Sequence, residues 1–497
     1  MLVATGVRAQ SFIDNALDFS RTNPGGSARI QGIGGAQVAL GGDFSSALSN
    51  PAGLGMYNRS EFTITPALNF YSTESTYNGN QESDSRTKFT LPGLSYVSHS
   101  PKNNNGFMGG SFGITMTRTN DFNNSFRYGG NDNVSSIVDF FLQQATGIPS
   151  NNLNFDLPTG LAYNNYLIDD STFWGGSQGQ YFSVIGLYDD PNDIRSLYRE
   201  GTVKTNGAQY QWSFAYGANF NDKIFVGATV GIATLRYKFS ALYRESDFFF
   251  ELDPDFNPLN YLELEETIDI QGTGVNLTLG LIYRPLDYLQ LGISYVTPTS
   301  YQSTDSYTAR VNTQWNNFNY LGTGTILSAI TDESQQPLIA EYNLRTPMRL
   351  NLGAAFFIGS SGFISGDVEF VNYSQARYQS DISGISFDQE NQVISQLYEN
   401  TVNFRIGGEY RLNAFRFRGG YQVLSNPYNQ SININRSINT LSAGAGYRAR
   451  RFFTDITWLN TQRDSSYAPY VFDDTLGPVT SIRNMRNTLM LTFGLTF

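Results

Sequence analysis

Apolar and polar residues alternate with a period of two along many segments of the chain. In the last of these segments, Leu489, Leu491, Phe493, Leu495 and Phe497 alternate with threonine, methionine and glycine. A period of two places successive side chains on opposite faces of a β-strand. One apolar face and one small, polar or charged face suit a strand with lipid on one side and a polar lumen on the other.

The chain contains fourteen such segments, an even number. They cover residues 61–72, 87–98, 106–118, 207–220, 223–243, 265–284, 288–310, 340–358, 362–379, 399–411, 415–425, 438–449, 452–463 and 483–497. Strands of a soluble β-sandwich also alternate, so the number of strands and the lengths of their connections must distinguish the two folds.

The connections alternate between short and long. Short ones such as 221–222 and 450–451 lie between long ones, of which 119–206, 244–264 and 311–339 are the main examples. Short turns at one end and long loops at the other are typical of outer-membrane barrels. We therefore predict an all-β fold, a 14-stranded antiparallel transmembrane β-barrel over residues 59–497, with its long loops outside the cell.

Composition narrows the class of function. The 497 residues carry a net charge of −11 without a Lys/Arg stripe, which argues against nucleic-acid binding. There is no cysteine, so disulfides and thiolate chemistry are excluded. The sequence contains no run of about 18 apolar residues, so no transmembrane helix is predicted. The single histidine, His99, lies in a short turn and is poorly placed as a catalytic base, so we predict no enzyme activity and no cofactor.

Carboxylates form two clusters in and beside the predicted outer loop 244–264, at 253–255 and at 263–266. Carboxylate oxygens could bind Ca²⁺, but the spacing matches no known calcium loop. Solvated charge facing lipopolysaccharide is the favoured interpretation, and no metal site is predicted.

The first 58 residues do not alternate. Residues 1–9 resemble the tail of a secretory signal, with the small-x-small pattern of Val7 and Ala9 before a cleavage site; an ordinary flexible terminus is the alternative. Residues 10–58 begin with a helix pattern, continue through a glycine-rich stretch and end at Asn50, Pro51 and Ala52. Glycine permits tight turns, and a proline forces the preceding residue into an extended conformation. We predict a compact plug, or hatch, inside the barrel.

Segments 27–29, 41–43 and 50–53, together with the barrel behind them, resemble the hatch of the FadL/TodX family of bacterial outer-membrane transporters for hydrocarbons and long-chain fatty acids. Segments 291–299 and 345–353 also resemble this family. Its Asn-Pro-Ala motif corresponds to Asn50, Pro51 and Ala52. The Asn-rich, Lys-poor composition resembles the Bacteroidota branch.

The resemblance implies passive uptake of hydrophobic compounds, above all long-chain fatty acids or related lipids. Capture in an outer groove would be followed by binding in the lumen and by movement of the hatch. The alternative is a FadL-shaped partner in protein secretion, similar to PorV, which does not transport small molecules.

The implied location is the bacterial outer membrane, and the expected oligomeric state is a monomer. The expected partners are fatty acids and detergent-like lipids, outer-membrane lipid and lipopolysaccharide, and the barrel-insertion machinery. Phe497 follows an alternating strand and resembles the terminal signal that this machinery recognises.

Residues 135–147 form a capped helix pattern that crowds apolar side chains together. The candidate ligand groove consists of Ile137, Phe140, Phe141 and Leu142, with Phe248, Phe249 and Phe250 as a second wall. An exposed apolar patch usually marks a binding site. A helix folded down over the barrel mouth as its own small core is an equally weighted alternative.

Four arginines alternate onto the predicted lumenal face: Arg349, Arg405, Arg416 and Arg418. A guanidinium group matches the geometry of a carboxylate and could hold a fatty-acid head group. Glu409 lies on the same face, so an Arg–Glu ladder is the alternative, and we favour the ladder for most of the four. No head-group residue of the family has a clear counterpart in this sequence.

Overall fold

The computed structural model describes residues 12–104, 106–132, 135–183, 185, 195–250, 255, 257–432, 434–472 and 477–497. The predicted signal remnant 1–9 lies outside these residues, as do residues 253–254 of the first acidic cluster and the side chain of Phe250. None of the helices in the described ranges combines the length and the apolarity that a membrane-crossing helix needs.

Fourteen antiparallel strands form one closed barrel, as predicted. They are β1 Glu61–Tyr77, β2 Asn80–Asn104, β3 Phe107–Asp121 with its outer segment Asn124–Asp132, β4 Arg195–Phe220, β5 Ile224–Phe250, β6 Leu259–Leu286, β7 Leu289–Val296 and Ser300–Tyr320, β8 Thr325–Glu333, Leu338–Arg345 and Arg349–Ile358, β9 Gly362–Asn372 and Arg377–Gln379, β10 Asn400–Leu412, β11 Phe415–Leu424, β12 Ile438–Arg448, β13 Phe452–Tyr467 and β14 Thr480–Thr496. Each strand pairs with the next, and β1 pairs with β14 from Glu61–Thr496 to Thr76–Ser481. Closure leaves no free sheet edge at the seam.

The lower part of the barrel is apolar outside and small or polar inside. On β6, Val275, Leu277, Leu279 and Leu281 are exposed on the outer face, whereas Thr278 between them is buried inside. The same outward apolar band continues around the wall. It includes Phe404, Ile406, Phe415, Phe417, Leu441, Ile456, Trp458, Phe493 and Leu495. This is the arrangement that the period of two predicts for lipid outside and a polar lumen inside.

The two faces exchange character further along the same strands, towards the long-loop end. On β6, the outward residues become Gln271, Asp269 and Glu265, while the inward Ile270 and Leu264 are fully buried. The inward apolar residues of β4 to β8 join one large core that fills the outer half of the lumen. The outer half of the barrel therefore has the core of a water-soluble protein, enclosed by a β-wall.

This exchange explains why the predicted loops differ from the structure. The two ends of 119–206 and most of the described residues of 244–264 and 311–339 are strand, because pairing continues in water after the outward apolar residues end. The hairpin of β7 and β8 closes in a short turn at 321–324, and β1 and β2 close at Asn78–Gly79. Asn78 and Gly79 both have positive φ, as a two-residue hairpin turn requires.

The loop between β3 and β4 and the loop after β9 carry the outer helices. The first contains α4 Ile137–Ala145 and α5 Pro158–Asn164, with 3₁₀ turns at Ser150–Asn152 and Ser171–Trp174 and a small sheet of Asp169–Asp170 with Tyr181–Phe182. The second contains α6 Asp388–Leu397; a 3₁₀ turn at Tyr373–Gln375 separates the two segments of β9 before it. The helix predicted at 135–147 is thus present, with Ser136 and Asp139 forming a capping box at its start.

The N-terminal segment, residues 12–57, lies inside the barrel. It consists of α1 Phe12–Ser20, α2 Ala28–Gln31, α3 Ser46–Ser49 and a 3₁₀ helix Pro51–Met56 (here helices are numbered along the chain, so the outer-loop helices follow as α4 to α6). Inward hydroxyls on three strands contact α2: Ser442 donates to Gly32 O at 3.2 Å, Thr457 to Ala28 O at 2.6 Å, and Thr492 accepts from Ala28 N at 2.8 Å.

Inward glycines give the N-terminal segment its space on the other strands. A Cβ atom at these positions would overlap the segment: Gly93, Gly217, Gly227, Gly280, Gly292, Gly353, Gly407 and Gly420. The strand backbone is therefore close enough to touch the backbone of the segment, which a side chain of any size would prevent.

Phe497 lies at the seam of the barrel. Its amide N donates to Ser60 O at 3.0 Å and its carbonyl accepts from Ser60 N at 3.1 Å. The ring is exposed on the outer surface and stacks against Tyr96, with a centroid distance of 6.3 Å.

Two neighbouring glycines of β11 provide a matched test of this packing. We expect Gly420→Val to displace the N-terminal segment, because the new side chain would overlap the backbone at Ile33 and Gly34. Gly419→Val is the control, since its side chain would meet nothing within 4 Å. The measurement is the rate of tryptic cleavage after Arg29 in detergent, with heat-modifiable gel mobility to show that the barrel has folded. Equal cleavage rates in two folded variants would contradict the described packing.

Candidate functional site: a lumenal cavity above the N-terminal segment

Asn50 fixes the end of the N-terminal segment to the barrel wall. Its side-chain amide donates to Val38 O at 2.7 Å and to Leu281 O and Ile293 O, both at 3.3 Å. Its side-chain oxygen accepts from Ala52 N at 3.2 Å and caps the 3₁₀ helix. One amide thus joins two parts of the segment to β6 and β7.

Pro51 and Ala52, the other two residues of the predicted hatch motif, lie against β5. A Cβ at Gly227 would overlap the backbone of both residues. Ala52 is fully buried and packs with Phe225 and Ile282. The structure therefore places the three motif residues together at the wall of the barrel.

Asp367 of β9 holds the middle of the segment. One carboxylate oxygen accepts from Gln37 N at 2.7 Å and from Val38 N at 2.9 Å. Asp367 is buried, so water does not compete for these two hydrogen bonds.

The four predicted lumenal arginines do not form one site. Arg405 pairs with Glu369 at 3.3 Å, and Arg418 pairs with Glu409 at 2.8 Å and Asp455 at 2.7 Å. These contacts correspond to the Arg–Glu ladder, the favoured alternative.

The other two predicted arginines have different surroundings. Arg349 donates to the hydroxyl of Thr22 in the N-terminal segment. Arg416 lies at a short turn and donates to Asn413 O at 2.7 Å and Phe415 O at 2.8 Å.

A cavity of about 200 Å³ lies between α1 and the walls formed by β3 to β5 and β12 to β14. Its apolar lining consists of Leu17, Phe122, Phe126, Val203, Tyr237, Phe239, Ile438, Tyr467 and Ile482. Its charged lining consists of Asp14, Asp18, Arg21, Arg436 and Arg463, with Asp464 contributing at the rim. The cavity is therefore amphipathic, with arginines at one side of an aromatic and aliphatic pocket.

Two of the three arginines are already engaged. Arg21 donates to Arg436 O at 2.6 Å and to Leu424 O and Ser425 O at 3.2 Å. Arg436 donates to Ser466 Oγ at 2.8 Å.

Arg463 is the third arginine of the cavity, and like the other two it was not among the four arginines predicted from the sequence. It faces inwards from β13, and its guanidinium group makes no hydrogen bond or ion pair with another residue in the described ranges, although its backbone oxygen accepts from Asn484 Nδ2 at 3.4 Å. Only the alternation of inward and outward positions could have indicated it, because Arg463 continues the inward positions Leu459 and Thr461 of the same strand. A guanidinium group with unused donors in a pocket can bind an anionic group of a ligand.

Tyr428, in the loop before β12, completes the polar side of the cavity. Burial raises the pKa of its hydroxyl, and the nearby charge of Asp14 raises this pKa further. Tyr428 is therefore a neutral hydrogen-bonding group at physiological pH.

The barrel wall is interrupted next to the cavity. The ladder between β2 and β3 stops at Gly93–Thr117, although β2 continues to pair with β1 as far as Asn80. The outer segment of β3 turns inwards after Phe122 and pairs only with β4 among the described strands.

Side chains bridge this gap in place of a ladder. Arg86 of β2 donates to Asn124 O at 3.3 Å, and Lys88 donates to Asn123 Oδ1 at 2.5 Å and Asn206 Oδ1 at 2.8 Å. Phe122 and Asn124 line the cavity as well, so the gap adjoins it.

The predicted outer groove is arranged differently. Ile137, Phe140 and Phe141 of α4 are buried, and Leu142 is partly buried against the same core. Phe140 packs on Tyr470 with a centroid distance of 5.8 Å. These contacts correspond to the alternative in which the helix covers the barrel mouth.

Phe248 and Phe249 lie at the outer end of β5. Phe248 is half-buried and Phe249 is exposed, whereas the side chain of Phe250 lies outside the described residues.

Glu245 of β5 holds the start of α4. Its carboxylate accepts from Ser136 Oγ at 2.5 Å, Ile137 N at 2.9 Å and Tyr243 Oη at 2.5 Å. Arg199, fully buried beside it, approaches Glu245 at 3.5 Å and also pairs with Asp132. This buried network fastens α4 across the mouth.

Among the residues that the structure describes, no group of three or more His, Cys, Asp or Glu side chains is arranged to hold a metal ion.

No protein-family model matches the sequence, and no curated protein matches it. Solved structures do match the fold. A FadL homologue from Pseudomonas aeruginosa aligns over 96% of this chain and 100% of its own, with 13% identity and a TM-score of 0.55. The toluene transporter TodX from P. putida aligns over 95% and 99%, with 13% identity and a TM-score of 0.51. The fold is therefore that of a 14-stranded barrel similar to these outer-membrane transporters.

The network around Glu245 can be tested on the helix that it caps. We expect Glu245→Ala to release α4, because the change removes three accepted hydrogen bonds and leaves Arg199 without this buried partner. Unpaired buried groups cost about 1–3 kcal/mol each, so amide exchange in residues 137–145 should accelerate roughly 10- to 100-fold. Hydrogen–deuterium exchange with mass spectrometry measures it. The control is Glu200→Ala, an exposed partner of Arg244. Unchanged exchange in the Glu245 variant would show that α4 does not depend on this network.

Proposed function

We propose that this protein is an outer-membrane channel for the passive uptake of hydrophobic compounds, most of all long-chain fatty acids or related lipids. The observation that carries the proposal is the amphipathic cavity inside the barrel, adjacent to a gap in the wall. In this scheme residues 1–9 are the remnant of the export signal, and residues 10–58 are a hatch that blocks the lumen below the cavity.

The cavity supports an amphiphile rather than a plain polar solute. Its aromatic and aliphatic wall can bury a hydrocarbon chain, which contributes roughly 0.8 kcal/mol for each CH₂ group removed from water. Arg463 supplies unused donors for the head group. The solved neighbours described as a FadL homologue and as a toluene transporter favour hydrophobic ligands in general.

The gap between β2 and β3 is a route between the cavity and the membrane. A ligand leaving there would pass the side-chain bridges of Arg86 and Lys88 and would not need to cross the N-terminal segment. Movement of the hatch towards the periplasm is the other route, and it requires the bonds of Asn50 and Asp367 to break. Transport along either route follows the concentration gradient and consumes no ATP.

The closed mouth is the observation that favours the second candidate, a PorV-like partner protein in secretion. Such a partner needs a face for another protein but no lumenal ligand. Binding of small ligands therefore separates the two functions.

The head-group interaction is tested by Arg463→Met. We expect the affinity for a long-chain fatty acid such as palmitate to fall about tenfold, because one charge-assisted contact is lost, and the affinity for toluene to stay the same. Isothermal titration of the detergent-solubilised barrel measures both ligands. Arg483→Met is the control, since this arginine faces outwards near Asp464 and is exposed. If neither palmitate nor toluene binds the unaltered protein, the transport function fails and the secretion partner remains.

The hatch assignment is tested by deleting residues 10–52. The segment that packs against the inward glycines would then be absent and the lower lumen would be open. Conductance across a planar bilayer should therefore rise above that of the full chain. Heat-modifiable gel mobility checks that the deleted form still folds as a barrel, and the Arg483→Met protein should conduct like the unaltered one. An unchanged conductance in a folded deletion variant would remove the hatch from the proposal.

A further inference from the structure

The outer surface of β4 and β5 carries three basic residues that the transport scheme does not use. Lys204, Arg236 and Lys238 all point outwards and are exposed. In the register of the two strands, Ala208 lies opposite Arg236 and Asn206 lies opposite Lys238. Lys204 lies opposite Ser240, the next outward residue of β5 after Lys238. Lys204 is therefore diagonal to Lys238, and Arg236 is the next outward residue to Lys238 on its own strand; each of these two pairs is about 5–8 Å apart. The three cations therefore form one patch, which we call the β4–β5 basic patch.

The three cations of the patch make no close ion pair. None of the three cations makes an ion pair within 4 Å with a carboxylate of the described residues. Arg244, further out on β5, is different because it pairs with Glu200 at 3.7 Å and Glu263 at 3.2 Å. Two carboxylates adjoin the patch: Asp269 of β6 lies opposite Lys238, and Asp84 of β2 accepts from Ser125, which lies opposite Lys204. The patch thus keeps a net positive charge on a chain whose overall charge is −11.

The height of the patch on the wall identifies its surroundings. Two outward positions below Arg236 lie Trp212 and Ile232, opposite one another and both exposed in the apolar band. Tyr210 is the next outward residue above Trp212 and lies opposite Thr234, immediately below Arg236. Outward aromatic residues mark the level where hydrocarbon gives way to head groups. The basic patch is therefore at the level of the lipid head groups.

We propose that the β4–β5 basic patch binds the phosphate groups of a phosphorylated glycolipid of the outer leaflet. Clusters of Lys and Arg beside an apolar band attract anionic head groups, and three cations without ion-pair partners match the two phosphates of lipid A. The acyl chains of the bound lipid would lie against Trp212, Ile232 and the apolar band below. This inference does not depend on what the lumen transports.

The patch also adjoins the gap in the wall. Asn206, opposite Lys238, accepts the bond from Lys88 that bridges the gap. A glycolipid bound to the patch would therefore lie at one side of that gap.

The test compares two triple variants that each remove three cations. The patch variant is Lys204→Gln with Arg236→Gln and Lys238→Gln. The control is Arg310→Gln with Arg345→Gln and Arg483→Gln, outward arginines on other strands, of which Arg310 pairs with Glu333 at 3.2 Å. Each protein is placed in nanodiscs with lipid A, with enzymatically dephosphorylated lipid A or with phosphatidylglycerol, and native mass spectrometry counts the retained lipid.

We expect the unaltered protein and the control to retain lipid A, and the patch variant to retain about tenfold less. Dephosphorylated lipid A and phosphatidylglycerol should be retained weakly by all three proteins. Equal retention of lipid A by the patch variant, or equal retention of the dephosphorylated form by the unaltered protein, would overturn the proposal. Equal loss in the control would also overturn it, since the effect would then be one of total charge.

Millimolar inorganic phosphate in lipid-free detergent separates a lipid site from a site for the free anion. Retention of phosphate that the patch variant loses would overturn the lipid assignment. Heat-modifiable gel mobility shows that every variant tested is a folded barrel.

Discussion

The architecture depends on one constraint: every strand must pair its backbone all around the barrel while it passes through two different solvents. Pairing runs around the whole barrel in its lower part, where β1 and β14 close the wall, and it is interrupted further out where the ladder between β2 and β3 stops. The side chains, however, must match first lipid and then water on the outer face. The structure meets both demands by exchanging the character of the two faces along a strand, as β6 does between Val275 and Ile270.

This exchange determines what occupies the lumen. Where the inward face is small and polar, the N-terminal segment fits against glycine backbone and is held by Asn50 and Asp367. Where the inward face is apolar, α4 and its neighbours fill the barrel with a conventional core. The cavity lies where the two fillings meet, with α1 as its floor. A pocket at that boundary is lined by apolar residues of the outer half and by charged residues at the border with the polar lower half.

The strand count and the position of the N-terminal segment could be predicted because both leave strong local patterns. The length of each strand could not be predicted. The outward apolar residues, which mark a strand in the sequence, stop at the head-group level, whereas the hydrogen bonding between strands continues beyond it. The turn at Asn78–Gly79 was the available signal, and it lay inside a segment assigned to a loop.

Helix α4 and its cap were also predictable from local sequence. The direction of its apolar face was not, because that depends on Glu245, more than a hundred residues away. Arg463 was missed for a related reason. Parity places it in the lumen, but only the assembled structure shows that Arg405 and Arg418 have carboxylate partners and that Arg463 does not.

The exchanged faces also mean that the two ends of one sheet are stabilised by opposite media. The lower half has only small buried apolar clusters around the N-terminal segment and otherwise exposes its apolar side chains to hydrocarbon, so a harsh detergent or a thinner bilayer weakens it first. The outer half carries a hydrophobic core in water, so urea weakens it first. A single closed sheet couples the two, and its unfolding need not be a single step. Stability measured with one agent would report on only one end of this molecule.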